Sequence, residues 1–287
     1  MAEESLSILA YGPAGGGKTT LGLTGPKPLL LLDAETASRF IPKSRKVTWD
    51  PMRDAPPVYD GTWEICVVKI KGWNVAQKTL EYIRSDNHPF RTVMIDSISE
   101  IQIKAKEEIK GNKAFLLQDW GVLSQNMGAF LRELRDISAS DTSKIEMTYL
   151  ISTAKDYVQG ENQPRVWKPF LEGVTAQIVP YLFDMTAYIY LDEVLVNPQN
   201  PGAGSKIQQI FFTGIHPTIE AKSRPPGVPA QLMDVTLEGL LRGVFPEDVP
   251  VAAPEAVVDV AEPAPVLEEP AKVEPAGKSS GLPSFPG

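Results

Sequence analysis

Cysteine is almost missing from this chain: Cys66 is the single thiol in 287 residues. One thiol excludes an intramolecular disulfide and any cysteine-rich metal site. Histidine is nearly as scarce, with only His88 and His216, so a zinc site has too few donors. Long apolar runs are absent too. The longest, Pro28–Leu32, leads straight into Asp33, whereas a membrane span needs roughly 18 to 20 apolar residues. The opening MAEESLSILAYG carries acids where a secretory leader carries bases, so no export signal is read and a reduced, cytoplasmic setting is expected. Net positive charge is also lacking, with 28 Lys and Arg against 36 Asp and Glu. What the chain does have is 43% hydrophobic residues, enough for a sizeable core.

The negative charge is unevenly spread. From Pro246 onward Glu247, Asp248, Glu255, Asp259, Glu262, Glu268, Glu269 and Glu274 face only Lys272 and Lys278, which puts −6 of the total −8 there and leaves about −2 elsewhere. A near-neutral remainder neither marks nor excludes a nucleic-acid partner. Pro, Ala, Val and Glu dominate residues 249–287 without periodicity. Residues 246–287 are therefore expected to form a disordered acidic tail on one folded domain, 1–245. Such a tail solubilises. It could also compete with DNA for a basic groove, or recruit a partner through its end, LPSFPG.

Ahead of the tail, strand-like and helix-like stretches alternate. Ser5–Tyr11, Pro28–Asp33, Trp63–Ile70, Arg91–Asp96 and Glu146–Thr153 read as apolar strands. Helices are expected from Lys18, over 74–85, and at about 98–110 and 119–137, with a Pro-rich loop at 42–62. This order gives a mostly parallel sheet with helices on both faces. Past Gly173 the pattern changes. Phe183–Leu191 and Lys206–Thr213 read as an antiparallel pair around NPQNPGAGS, and a short helix at 235–243 closes the fold.

Gly12-Pro13-Ala14-Gly15-Gly16-Gly17-Lys18-Thr19 fits G-x-x-x-x-G-K-[ST], with an expected strand before it and a helix after. Glycines let the backbone wrap phosphates with N–H groups pointing inward, and a helix N-terminus favours the same charge. Lys18 would bridge the β- and γ-phosphates, the Thr19 hydroxyl would coordinate Mg²⁺, and Thr20 completes the binding segment. No N-K-x-D motif for reading guanine occurs. ATP with Mg²⁺ is therefore the expected cofactor. A Gly-rich structural turn is the competing explanation, and the flanking elements argue against it.

A phosphate loop needs a carboxylate at a later strand end, and Asp96, closing TVMID, fits the metal shell. The bland alternative is that Asp96 caps the next helix. The second strand ends Asp33-Ala34-Glu35. Glu35 could orient or deprotonate the attacking water; equally, Asp33 could cap the next helix and leave Glu35 solvated.

LLLLDAE followed by VMIDS resembles the core of the RecA-like recombination ATPases. With A-K-S-R-P-P-G-V-P at 221–229, the chain is similar to phage-encoded members that include Sak-type single-strand annealing and recombination proteins. The resemblance implies a RecA-like P-loop NTPase core of α/β class with an antiparallel C-terminal extension. It implies Glu35 as catalytic glutamate beside Lys18, Asp96 as the Walker B aspartate, a homo-oligomer, and DNA-stimulated ATP hydrolysis (in the host cytoplasm, if phage-encoded). Two departures stand out. Only about five residues precede the first strand, so the family's filament contact is expected to be missing or replaced. The fifth strand ends Ser152-Thr153-Ala154-Lys155, which leaves Thr153 as candidate γ-phosphate sensor.

The resemblance also points single-stranded DNA at the loops after the fourth and fifth strands, 110–118 and 155–170. The second mixes Lys155, Tyr157, Arg165, Trp167 and Lys168, cations for phosphates with aromatics for stacking. Packing of the aromatics and solvation of the charges is the plain alternative. Lys222 and Arg224 are candidate fingers reaching a neighbour's γ-phosphate, and the tail is a candidate recruiter of single-strand-binding protein. Two other classes compete: a small-molecule kinase, and a nucleotide-gated DNA-binding accessory without significant turnover.

Overall fold

Apolar runs bounded by turn residues become strands, and amphipathic stretches become helices, in the computed structural model, which describes residues 4–158, 164–196, 199 and 204–246. The first half contains β1 (Leu6–Gly12), α1 (Lys18–Gly22), β2 (Leu29–Asp33), β3 (Lys46–Thr48), β4 (Ile65–Lys69), α2 (Trp73–Arg84), β5 (Thr92–Asp96), α3 (Ile98–Lys110) and α4 (Leu117–Ser138). The second contains β6 (Met147–Val158), β7 (Arg165–Pro169), α5 (Thr175–Leu182), β8 (Met185–Leu195), β9 (Ser205–Phe212), β10 (Lys222–Ser223), β11 (Gln231–Met233) and α6 (Leu237–Val244).

The strands form one sheet in the order β11-β9-β8-β1-β6-β5-β2-β4-β3, with β10 on β8 and β7 on β6. From β8 to β3 every pairing is parallel; β9, β10 and β11 add antiparallel strands on the C-terminal side. This is the α/β class expected from the sequence. Strands β1, β2 and β5 are buried at every position, because helices cover both faces. Side chains alternate across a strand. Leu9 of β1 therefore joins one core with Leu80, Ile101 and Leu131 of α2, α3 and α4. Leu6, Ile8 and Ala10 join the other, with Leu21 of α1 and Leu237, Leu240 and Leu241 of α6. Each fully buried Leu or Ile contributes about 1.5–3 kcal/mol, so both faces hold the loop-bearing strand β1 in place.

Several expectations need correction. Helix α1 does start at Lys18 as expected, though it runs only five residues, because Gly22, Gly25 and Pro26 stop it early. The Pro-rich stretch 42–62 contains β3, which pairs with β4 at the sheet's margin. Within the stretch 155–170, residues 155–158 and 165–169 are strand rather than loop. Strand β6 continues past Thr153 to Val158, and β7 returns beside it, pairing Lys155 with Lys168 and Tyr157 with Val166. Pro164 stands just before β7 and Pro169 ends it; residues 159–163, Gly160 among them, are outside the described residues. Of the stretch 110–118, Leu117 and Gln118 already belong to α4. The acidic tail, and most of the NPQNPGAGS turn, fall outside the described residues. Among those described, no helix is long and apolar enough to cross a membrane.

Candidate active site

Strand β1 ends at the glycine loop, and that loop lies hard against the β8–β9 hairpin. Gly12, Gly15 and Gly17 have φ of +154°, +78° and +82°, a region that disfavours side chains. Space is refused as well. A Cβ on Gly12 would sit 2.0 Å from the Ile189 carbonyl oxygen, and one on Gly17 would sit 2.2 Å from Gln209 Nε2. The amide of Gly16 closes a turn onto the Pro13 carbonyl at 3.3 Å. The N–H groups of Ala14, Gly15 and Gly17 have no partner among the described residues. A five-residue helix aligns few peptide dipoles, so the attraction for an anion comes from these amides and from Lys18 rather than from a macrodipole. Lys18 Nζ donates to the Gly12 and Pro13 carbonyls at 2.9 and 2.8 Å. Burial lowers its pKa, while Asp96 and Glu35 pull the other way.

Strand β5 brings Asp96 under the loop, with β6 between it and β1. The Thr19 hydroxyl donates to Asp96 Oδ2 at 2.6 Å. Asp96 is 2% exposed, and its carboxyl is pushed up to about 6. Burial is the main cause; Thr19 opposes it, and the charges of Glu35 and Asp33 add to it. The alternative role as helix cap is taken by Ser97 instead, whose Oγ accepts from the Glu100 amide at 3.3 Å. Asp33 and Asp96 are register partners, yet they do different work. Asp33 accepts from the Ala37 and Ser38 amides at 2.9 and 3.2 Å and from the Ser38 hydroxyl, closing a 3-10 turn at Ala37–Phe40. Glu35 is exposed but not merely solvated. Its amide donates to the Asp96 carbonyl at 3.2 Å, and its carboxylate accepts from the Ser97 hydroxyl. The Asp96–Ser97 peptide is cis.

The donors fit Mg²⁺. Among the described residues no three His, Cys, Asp or Glu side chains cluster to enclose a metal. A magnesium ion carried on phosphates needs only one or two protein oxygens. The touching Thr19 hydroxyl and Asp96 carboxylate are hard oxygen donors, and Asp96 is a buried acid whose charge is opposed by Lys18 but raised in cost by Glu35 and Asp33.

Thr153 is the register partner of Gly12 and is tied by its amide and hydroxyl to Ser99 Oγ at 3.2 and 3.3 Å. The sensor candidate thus stands beside the phosphate loop. Tyr149 of β6, fully buried, donates to the Lys18 carbonyl at 3.1 Å. Gln209 of β9 donates to the Gly16 carbonyl at 2.8 Å across 193 residues of sequence. Sequence reasoning named Ser97 only as part of a motif and missed Ser99, Tyr149 and Gln209; nothing local marks residues whose role depends on distant pairing.

The DNA candidates are split by the hairpin. Lys155, Tyr157 and Lys168 share one face of β6–β7, while Arg165 and Trp167 lie on the other. Arg165 pairs with Asp156 at 2.7 Å and Lys168 with Glu220 at 2.8 Å. Lys155 makes no ion pair among the described residues and lies over the Phe170 ring at 4.8 Å. The Tyr11 hydroxyl reaches the Trp167 and Glu220 carbonyls at 2.9 and 2.8 Å, fastening the hairpin's base to β1. Lys222 and Arg224 do not meet the phosphate loop within the protomer. Lys222 pairs with Thr186, about three residues and roughly 10 Å down β8 from Ile189, and Arg224 faces Asp184 at 3.6 Å.

Among curated proteins none matches this chain. Residues 4–225, most of its length, match the family described as AAA domain. With its phosphate loop and paired acids in place, the chain belongs to that family of nucleotide-binding ATPases.

Proposed function

We propose that the protein hydrolyses ATP with Mg²⁺ and that single-stranded DNA stimulates the turnover, as in phage-type recombination or strand annealing. One observation carries the hydrolytic half: Thr19 bonded to Asp96, with Glu35 anchored one residue further along through Ser97. The free amides of Ala14, Gly15 and Gly17 receive the phosphate oxygens. Lys18 exchanges the Gly12 and Pro13 carbonyls for β- and γ-phosphate oxygens. Thr19 and Asp96 would hold Mg²⁺, which neutralises charge on the phosphates when bound. Glu35 orients a water and accepts its proton as that oxygen bonds to the γ-phosphorus; the bond to the bridging oxygen breaks, and ADP and phosphate leave. Thr153, beside Gly12, senses the γ-phosphate.

The DNA half rests on likeness and on one structural support. The β6–β7 hairpin rises from the strand ends that carry the nucleotide site, with Lys155 on one face for a phosphate and Trp167, 40% exposed, on the other for a base. Lys222 and Arg224 act only in an oligomer, as fingers toward a neighbour. The test is ATP hydrolysis with and without single-stranded DNA at several salt concentrations, using wild type and Glu35→Gln. The expected result is salt-sensitive stimulation of wild type, with Glu35→Gln binding ATP but not hydrolysing it. Turnover indifferent to DNA, together with no salt-sensitive binding, removes the DNA half. ATP binding without turnover leaves a nucleotide-gated binding protein, and phosphate transfer to a small acceptor leaves a kinase.

A further inference from the structure

We infer that Gln209 is a positioning residue for the phosphate loop: its side-chain amide sets the Gly16–Gly17 peptide so that the Gly17 N–H faces the bound phosphates. In a trans peptide the C=O and N–H point in opposite directions. The Gly16–Gly17 bond is not among the cis peptides of the described chain. Gln209 Nε2 donates to the Gly16 oxygen at 2.8 Å from the β8–β9 side, so the Gly17 N–H is turned away from that hairpin. It is one of the loop amides with no partner among the described residues.

Glycine at 17 is what allows this contact, since a Cβ there would overlap Nε2. The backbone that carries the donor is held firmly. The Gln209 backbone N–H donates to Asp234 Oδ1 at 3.1 Å, the Asp234 backbone N–H returns to the Gln209 carbonyl at 3.0 Å, and Gln208 Nε2 reaches Asp234 Oδ2 at 2.7 Å. A donor carried on a fixed strand and aimed at one carbonyl of a glycine-rich loop resists the peptide flip that glycine otherwise permits.

The inference rests on the nucleotide reading, and the test separates the two. Binding of a fluorescent ATP analogue is measured from pH 8 to pH 5.5 for wild type, Lys18→Ala, Gln209→Ala and Gln209→Glu, with phosphate release for KM and kcat and thermal melting as the check on folding. Losing one such bond weakens affinity about three- to tenfold, so Gln209→Ala raises KM by that factor with a smaller change in kcat. Gln209→Glu keeps the shape, but its carboxylate cannot donate; its protonated form can. Its deficit relative to wild type is therefore largest at pH 8 and shrinks as pH falls. Protonation of Asp96 acts on both proteins and cancels in the ratio. A packing role alone would lower the melting temperature without that pH-dependent recovery. Wild-type affinity in both Gln209 variants, or a deficit in Gln209→Glu that is constant with pH, overturns the inference alone. A wild type that binds ATP no better than Lys18→Ala overturns the nucleotide reading beneath it.

Discussion

A carboxylate taken out of water beside other acids costs stability until a cation meets it. Asp96 has Asp33 as its register partner and the charge of Glu35 nearby. Between an ordinary aspartate near 3.8 and the folded value of about 6, the folded chain holds a proton that the unfolded chain has released. Stability therefore falls as pH rises through that window and stays low at neutral pH. Asp96→Asn removes the charge, so it should raise stability at pH 7.5 by about 1–3 kcal/mol in urea unfolding while abolishing Mg²⁺-dependent turnover. A destabilised Asp96→Asn would refute the account. In the proposed reaction the same proton would compete with Mg²⁺ for Asp96, so turnover should drop as pH falls through about 6. Gly12 gives a contrasting case. Gly12→Ala drives a Cβ into the Ile189 carbonyl at a φ of +154°, and should cost about 1–3 kcal/mol or more, read as a lowered melting temperature.

At the scale of elements, the sequence is most readable where local signals agree. Helix α3 falls at Ile98–Lys110 as expected, because Ser97 caps its start and Gly111, at φ +60°, ends it. Strands β2 and β5 were visible as apolar runs ending in acids. The β6–β7 pairing was not, since the sequence between the two strands is rich in Gly, Asn, Gln and Pro, and alternation around Lys155–Val158 was masked by charge. The short α1 could have been foreseen from Gly22, Gly25 and Pro26. Gln209 could not, because only the folded sheet brings β9 to the loop. The hairpin's geometry also sharpens what to expect of DNA. With Arg165 and Lys168 already in ion pairs, Lys155→Ala should reduce the salt slope of single-stranded DNA binding by about 1. Trp167→Ala should weaken binding by about 1–3 kcal/mol at every salt concentration. Filter binding across a salt series distinguishes the two, and an unchanged slope in Lys155→Ala would remove that contact.

For the whole molecule, charge and connectivity matter together. A chain ending at Pro246 loses six net negative charges and keeps about −2, so it should approach a polyanion faster and bind single-stranded DNA more tightly at low salt, the gain fading as salt rises. Equal binding by the full and shortened chains at low salt would rule out a role for the tail's field. Connectivity matters because β1 lies between β6 and β8, and each of these overruns it by several residues into a hairpin. Heterotropic linkage follows from that arrangement. Any ligand that clasps a hairpin more firmly in the ATP-bound protein must, by the same factor, tighten the protein's hold on ATP. A strand of DNA that stays bound would then serve as a timer on nucleotide exchange.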